Sequence, residues 1–333
     1  MDLVTGGTGI VGSHVLAELL DRGRSVRALV RPGTDTAIVR RILRHYHADG
    51  DARFARIQWV PGDLLDMGSL TDAMQGVEHV YHAAAMVSFD PRDRAPLFAA
   101  NITGTANVVN AALEQGVRRL CHVSSTAAIG LRTNGRLINE DTPYKQTRET
   151  SPYTISKHDA ELEVQRGIAE GLDAVLVNPC IVLGPGIAGR SSMTMIERFR
   201  KGSRFFTTGA NAVVDARDVA TAMVGLMEQG RTGERHLLIG ENIGYEQFFG
   251  LIATAAGKPA PTMRLRPWMI GLAWRAETLR TLFGGRPMIT RYTAATSFRT
   301  RHYDGSKAAA LLGMRFRDAK EAVANALAFA GGQ

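Results

Sequence analysis

Short apolar runs rich in β-branched residues alternate with helix-period segments through the first half of the chain. The runs Asp2–Val4, Ser25–Val30, Ile57–Val60, His79–His82, Arg119–Ser124 and Asp173–Asn178 predict six strands. Between them Val11–Arg22, Ser69–Gln75, Pro91–Gln115 and Pro152–Glu170 predict helices, the third of them broken. Strands that alternate with helices are joined by crossovers, so they lie parallel in a sheet covered on both faces. Asn178-Pro179 ends the last strand, because proline donates nothing to a ladder. Arg40–Arg56 is polar and rich in His and Arg; it reads as a helix plus an exposed loop.

Beyond residue 180 the pattern changes. Gly184, Pro185, Gly186 and Gly189 mark an irregular stretch, Ala212–Glu228 returns to alternation and helix, and Arg235–Ile239 reads as a further strand. From Tyr245 onward the chain is helical and irregular, broken by Pro259, Pro261, Pro267 and Pro287. The expected fold is α/β: a doubly wound parallel sheet over 1–180 plus 212–240, with a smaller, sequence-interleaved substrate region over 181–211 plus 241–333. The apolar stretch Pro267–Trp274, continuing to Leu282 and Phe283, is flanked by arginines. It reads first as a core helix of the smaller region; a wall over an apolar substrate and contact with a membrane surface are the alternatives.

The 333 residues suffice for a full core, and 45% hydrophobic with 22% charged residues is ordinary for a globular enzyme. The net charge of +8 comes from scattered arginines with no run of three or more consecutive basic residues, which argues against nucleic acid. Cys121 and Cys180 sit in apolar stretches and fit a reducing compartment rather than a disulfide framework. With the glycine loop opening at Thr5 and no apolar run of bilayer length, the expected location is the cytoplasm.

Gly6, Gly9 and Gly12 follow the first strand and open an amphipathic helix. A tight turn needs positive φ, a diphosphate needs backbone within contact distance, and the helix must pack closely on the strand. The free N–H groups and positive dipole end of the helix then attract the phosphates. Gly6, Thr8, Gly9, Ile10, Val11 and Gly12 are therefore the candidate dinucleotide cradle of a Rossmann fold. Arg31 follows the second strand, where an acidic residue would bind the ribose hydroxyls of NAD. A guanidinium there favours the 2′-phosphate of NADP. Asp35 lies nearby and leaves NAD as the other choice.

Tyr153 and Lys157 lie four apart on a predicted helix, hence on one face, with Ser151-Pro152 to cap and start it. A phenol ionises near pH 10, and a neighbouring ammonium is expected to lower that. The pair then donates a proton to a carbonyl or accepts one from an alcohol. Ser125, at the end of the fifth predicted strand, is the candidate to hold the carbonyl oxygen, with Ser124 and Thr126 as alternatives. His158 points elsewhere and reads as structural. No His, Cys and carboxylate cluster has metal-ligand spacing, so no metal is expected.

In order along the chain stand Thr5-Gly6 with Gly9 and Gly12, Gly62-Asp63-Leu64, His82-Ala83-Ala84-Ala85, Asn101 with Gly104-Thr105, Ser124-Ser125, Tyr153 with Lys157, and Asn178-Pro179 with Val182, Gly184 and Pro185. This set resembles the extended short-chain dehydrogenase/reductase (epimerase/dehydratase) family over residues 1 to about 242. The segments Val26–Arg31 and Val177–Pro185 are similar to its dihydroflavonol-reductase and 3β-hydroxysteroid-dehydrogenase branch. The resemblance implies that Asp63 and Leu64 contact adenine and that Ala83, Ala84 and Ala85 line the diphosphate and ribose. It implies further that Asn101 helps organise the Tyr–Lys relay, that Pro179 and Val182 touch the nicotinamide, and that Lys157 also binds its ribose. Many nucleotide-sugar epimerases carry Tyr where this chain has Ile129 and Leu183, which tilts the pocket toward apolar ligands. Met86, Ser88, Phe89 and Tyr144 are candidates to line it.

The leading expectation is an NADP-dependent reductase of a small-molecule carbonyl, or the reverse alcohol oxidation, working as a monomer or homodimer. A nucleotide-sugar epimerase or dehydratase holding NAD tightly is the second. A non-catalytic NADP-binding sensor is the third, and the intact Tyr–Lys pair counts against it.

Overall fold

A computed structural model describes residues 1–132, 135–190, 192–282, 284–287 and 290–331. The first six strands are β1 (Asp2–Thr5), β2 (Val26–Val30), β3 (Gln58–Pro61), β4 (His79–His82), β5 (Arg119–Val123) and β6 (Ala174–Pro179). The chain then builds β7 (Ile181–Leu183), β8 (Phe205–Phe206) and β9 (Ala210–Asp215), and returns to the large sheet with β10 (Arg235–Leu238). The large sheet has the order β3-β2-β1-β4-β5-β6-β10, and all its neighbouring strands are parallel. The expected doubly wound α/β fold is confirmed.

Alternation along each strand divides the core. Val4, Ala28, Tyr81, Cys121 and Val175 face one side, against helices Ile10–Asp21, Ala37–Tyr46 and Ala216–Gln229. Leu3, Leu29, Val80, Leu120 and Leu176 face the other, against Met67–Met74, Gly104–Glu114 and Pro152–Ala169. Each fully buried Val or Leu contributes roughly 1.5–3 kcal/mol.

Strand order reverses between β1 and β4, and the register aligns Thr5 with His82, His82 with His122, and Val123 with Val177. The loops leaving β1, β4, β5 and β6 therefore emerge together, at the switch point where such sheets bind ligands. Above them sits a smaller body. β7 and β9 pair in parallel, β11 (Glu241–Gly244) is antiparallel to β9, and β12 (Met263–Arg264) pairs with β8. A third cluster containing Phe206, Ile243, Phe248, Phe249 and Val323 fills it.

Two expectations are corrected. The helix expected in 40–56 is Ala37–Tyr46, but the exposed loop expected after it is a second, short helix, Gly50–Ala55. Gly50 lets the chain fold back: a Cβ there would lie 2.5 Å from the Arg44 nitrogen. The Arg44–Asp51 ion pair, at 2.6 Å, ties the two helices. The helix of 91–115 is broken as expected, by a π turn, Ala99–Thr103, before Gly104–Glu114. The stretch from Pro267 is a surface helix, Pro267–Leu282, not a core one: Trp268, Leu272 and Leu279 are each more than half exposed. Phe283 lies outside the described residues.

Candidate active site

The glycine loop follows from steric necessity. Gly6 has φ 71°, and a Cβ there would sit 2.6 Å from the Ala84 backbone. At Gly12 a Cβ would lie 2.2 Å from the Gly6 carbonyl oxygen. The loop, the helix and the segment after β4 thus meet closer than any side chain allows. Gly9 begins helix Ile10–Asp21 with no side-chain cap and no acidic residue in the first turn. Its first N–H groups remain for an anion.

A cleft of about 1860 Å³ starts at this loop and runs up between the large sheet and the smaller body. Gly6, Thr8, Gly9, Ile10 and Val11 line its lower end, with Arg31, Asp63, Leu64, Ala83, Ala84 and Ala85. Ser125, Tyr153, Lys157, Pro179 and Val182 line its middle, with Met86, Phe89 and Tyr144. Three predicted residues stand apart from the wall. Gly12 is buried beneath the loop and acts by letting it close. Ser88 is corrected: its hydroxyl donates to Asp93 (2.7 Å), which turns it from the cleft. Asn101 is buried behind the wall; it donates to the Ser156 hydroxyl (2.9 Å) and the Met86 carbonyl (2.9 Å) and accepts from the Met86 N–H (2.7 Å). Its side chain clamps the Met86 strap to the Tyr–Lys helix, with no direct bond to Lys157 among the described residues.

Helix Pro152–Ala169 starts as its sequence predicts: the Ser151 hydroxyl accepts from Thr154 N–H and Pro152 takes the first turn. Tyr153 meets the Ser125 hydroxyl, which lowers the phenol pKa, but burial is the larger influence and pushes it above its ordinary value. The expected depression of Tyr153 by Lys157 is therefore corrected. The Lys157 ammonium instead donates to the Val123 carbonyl at 2.7 Å. Burial pushes Lys157 itself down to about 8, against the upward pull of Glu161 one turn on. Glu161 is fully buried and pairs with Arg235 at 2.7 Å while accepting from Asn178 at 2.6 Å. Ser125 also accepts from the Ala127 N–H at 3.1 Å, which fixes its rotamer at the end of β5. Phe89 covers Tyr153 edge-on, with ring centroids 5.5 Å apart. His158, read as structural, stacks on Tyr144 at 3.8 Å and so props a wall residue.

One feature escaped the sequence reading. Thr105 gives its hydroxyl proton to the Asn101 carbonyl (2.6 Å), so His82 Nε2 donates to Thr105 (3.0 Å) and His82 Nδ1 accepts from Thr5 (2.7 Å). This buried chain ties the glycine-loop strand to the π turn behind the Tyr–Lys helix. Burial first, and Lys157 second, push His82 down to about 3, so it stays a neutral strut. The signal was present in His82-Ala83 and Thr105, but only the β1–β4 neighbourhood joins residues so far apart.

At the lower end, Arg31 carries no ion pair among the described residues. Asp35 turns its carboxylate to the Ala37 N–H (2.8 Å) and caps the next helix. A glycine cradle, an uncapped helix start and small alanines fit a dinucleotide diphosphate. No group of three or more His, Cys, Asp or Glu residues could hold a metal among the described residues.

A family model described as the NAD dependent epimerase/dehydratase family matches residues 3–240. The chain belongs to this family. Over 332 residues it is 33% identical to a putative dihydroflavonol 4-reductase of Synechocystis sp., covering 97% of this chain and 92% of the relative. It is 32% identical to sterol demethylase protein B of Methylococcus capsulatus, covering 98% of this chain and 97% of that one. The solved structure of gox2253 superimposes with a TM-score of 0.83 at 32% identity, covering 100% and 98% of the two chains. As a member of the epimerase/dehydratase family, in its extended short-chain branch, the protein is an NAD(P)-dependent oxidoreductase acting on a small molecule. No helix among the described residues is long and apolar enough to cross a membrane.

Proposed function

We propose that the protein is an NADP-dependent reductase of a bulky, mostly apolar ketone or aldehyde, or its reverse, with Tyr153 as proton donor. The observation that carries this reading is the convergence of Ser125, Tyr153 and Lys157 on one cleft whose far wall is apolar, built from Met193, Met195, Phe199, Phe206 and Phe249. Relatives named for a flavonol reductase and a sterol demethylase support a bulky apolar substrate. The nicotinamide, when bound, supplies or accepts the hydride. Ser125 holds the carbonyl oxygen, Tyr153 gives its phenolic proton to that oxygen, and the Lys157 charge stabilises the phenolate left behind. A phenol pushed above its ordinary pKa stays protonated at neutrality, as a donor must. Asn101, through Ser156 and Met86, positions the helix. Arg31, unpaired while Asp35 is engaged, selects the 2′-phosphate. The free, buried Cys121 and Cys180 fit a reducing compartment, hence the cytoplasm.

A second reading, NAD-linked epimerisation of a nucleotide sugar, draws on Arg190, Arg198 and Arg301, which line the cleft without ion pairs among the described residues. One experiment separates the two. The purified protein should consume free NADPH with hydrophobic carbonyls, and Arg31→Ala should weaken NADP about 10–100-fold with little effect on NAD. Co-purified NAD, with turnover of nucleotide sugars and no NADPH consumption, would reject the reductase.

A further inference from the structure

We propose that the outer face of helix Pro267–Leu282 seats the protein on an anionic lipid bilayer. Trp268, Leu272 and Leu279 are 62%, 57% and 61% exposed. Their spacing of four and seven places them in one stripe along the helix. Met269, Ile270 and Ala273, on another face, line the cleft. The helix is thus apolar both toward the substrate cavity and toward solvent. The pair β8–β12, which leads into it, adds Phe205 and Met263, 42% and 50% exposed. An apolar patch of this kind on a soluble enzyme marks an interaction surface.

Charge decides the partner. Residues 261–291 hold six arginines and one acidic residue, Glu277, with no lysine or aspartate. Glu277 is engaged by Arg280 at 2.7 Å. Arg264 and Arg266 stand at the start of the stripe, Arg275 lies within it between Leu272 and Leu279, and all three are exposed. A two-fold contact between two copies of this patch would set the same arginines face to face, which is repulsive. Anionic headgroups neutralise them while Trp268 and the leucines enter the interface. Lying flat also suits a helix too short and too charged to span. The substrate cavity then opens beside the bilayer, where apolar molecules partition.

The full-length protein should float with phosphatidylcholine vesicles containing phosphatidylglycerol and stay behind with phosphatidylcholine alone. Leu272→Glu with Leu279→Glu should lower the partition coefficient about ten-fold or more at unchanged circular dichroism and NADPH turnover in detergent-free buffer. Arg264→Gln with Arg266→Gln, milder changes, should lower it and flatten its salt dependence. Failure of the native protein to bind the anionic vesicles would overturn the proposal. So would binding unaffected by both variants, or a dimer that forms through the stripe in place of vesicle binding. None of these outcomes bears on the reductase reading, because neither variant touches the cleft wall.

Discussion

Lys157 and Tyr153 are pushed in opposite directions by the same burial: the amine to about 8, the phenol above its ordinary value. Reduction needs a protonated phenol, and oxidation needs a deprotonated one. The kcat/KM for carbonyl reduction should therefore be flat through neutrality. For alcohol oxidation it should climb as pH rises and the phenol ionises, with the climb held back above about 8, where Lys157 loses the charge that stabilises the phenolate. A pH–rate profile in both directions checks this, and a limb near pH 6 would point instead to an imidazole. His82 cannot supply that limb, since burial holds it near 3. At this scale the sequence was informative where one helix or one strand end carries the chemistry, as with Tyr153, Lys157 and Ser125. It was silent on the Thr5–His82–Thr105 chain, whose members are 77 and 23 positions apart. It also misjudged Tyr153, because spacing shows that an ammonium is near but not that it is turned to the Val123 carbonyl.

Elements differ in how much of their environment their own sequence carries. The large-sheet strands are short and, β3 at the edge apart, mostly buried, and their boundaries fell within a residue or two of the pattern. Helix Pro267–Leu282 has apolar residues on two faces, so no single stripe announced which side was covered. β8 and β12 have two residues each, too few for any period. Gly50 hid a chain reversal inside a polar stretch. The glycine loop was legible because its residue types have one steric explanation, and that yields a sharp expectation. Gly12→Ala would place a methyl 2.2 Å from the Gly6 oxygen, so the helix must retreat from the loop. Overpacking of this kind costs about 1–3 kcal/mol, at about 1–2 °C in Tm per kcal/mol for a chain of this size. The variant should fold with a lowered Tm and bind NADP and NAD equally poorly. Calorimetry and cofactor titration check this; unchanged affinity would show that the loop does not hold the diphosphate.

Across the whole molecule, the large sheet supplies the floor of the cleft and the smaller body its upper wall, the chain crossing between them at β6–β7, at β9–β10 and at β10–β11. The floor was readable from the order of motifs alone. The upper wall was not, because its residues come from separated segments and obey packing rather than a motif. The reaction is assigned to the floor, and one comparison tests it most directly. With NADPH and a hydrophobic ketone, the native protein should oxidise the cofactor, and Tyr153→Phe should do so about 10²–10⁴-fold more slowly while binding NADPH with unchanged affinity. Carbonyl reduction by Tyr153→Phe at the native rate, with the same stereochemistry, would contradict the account.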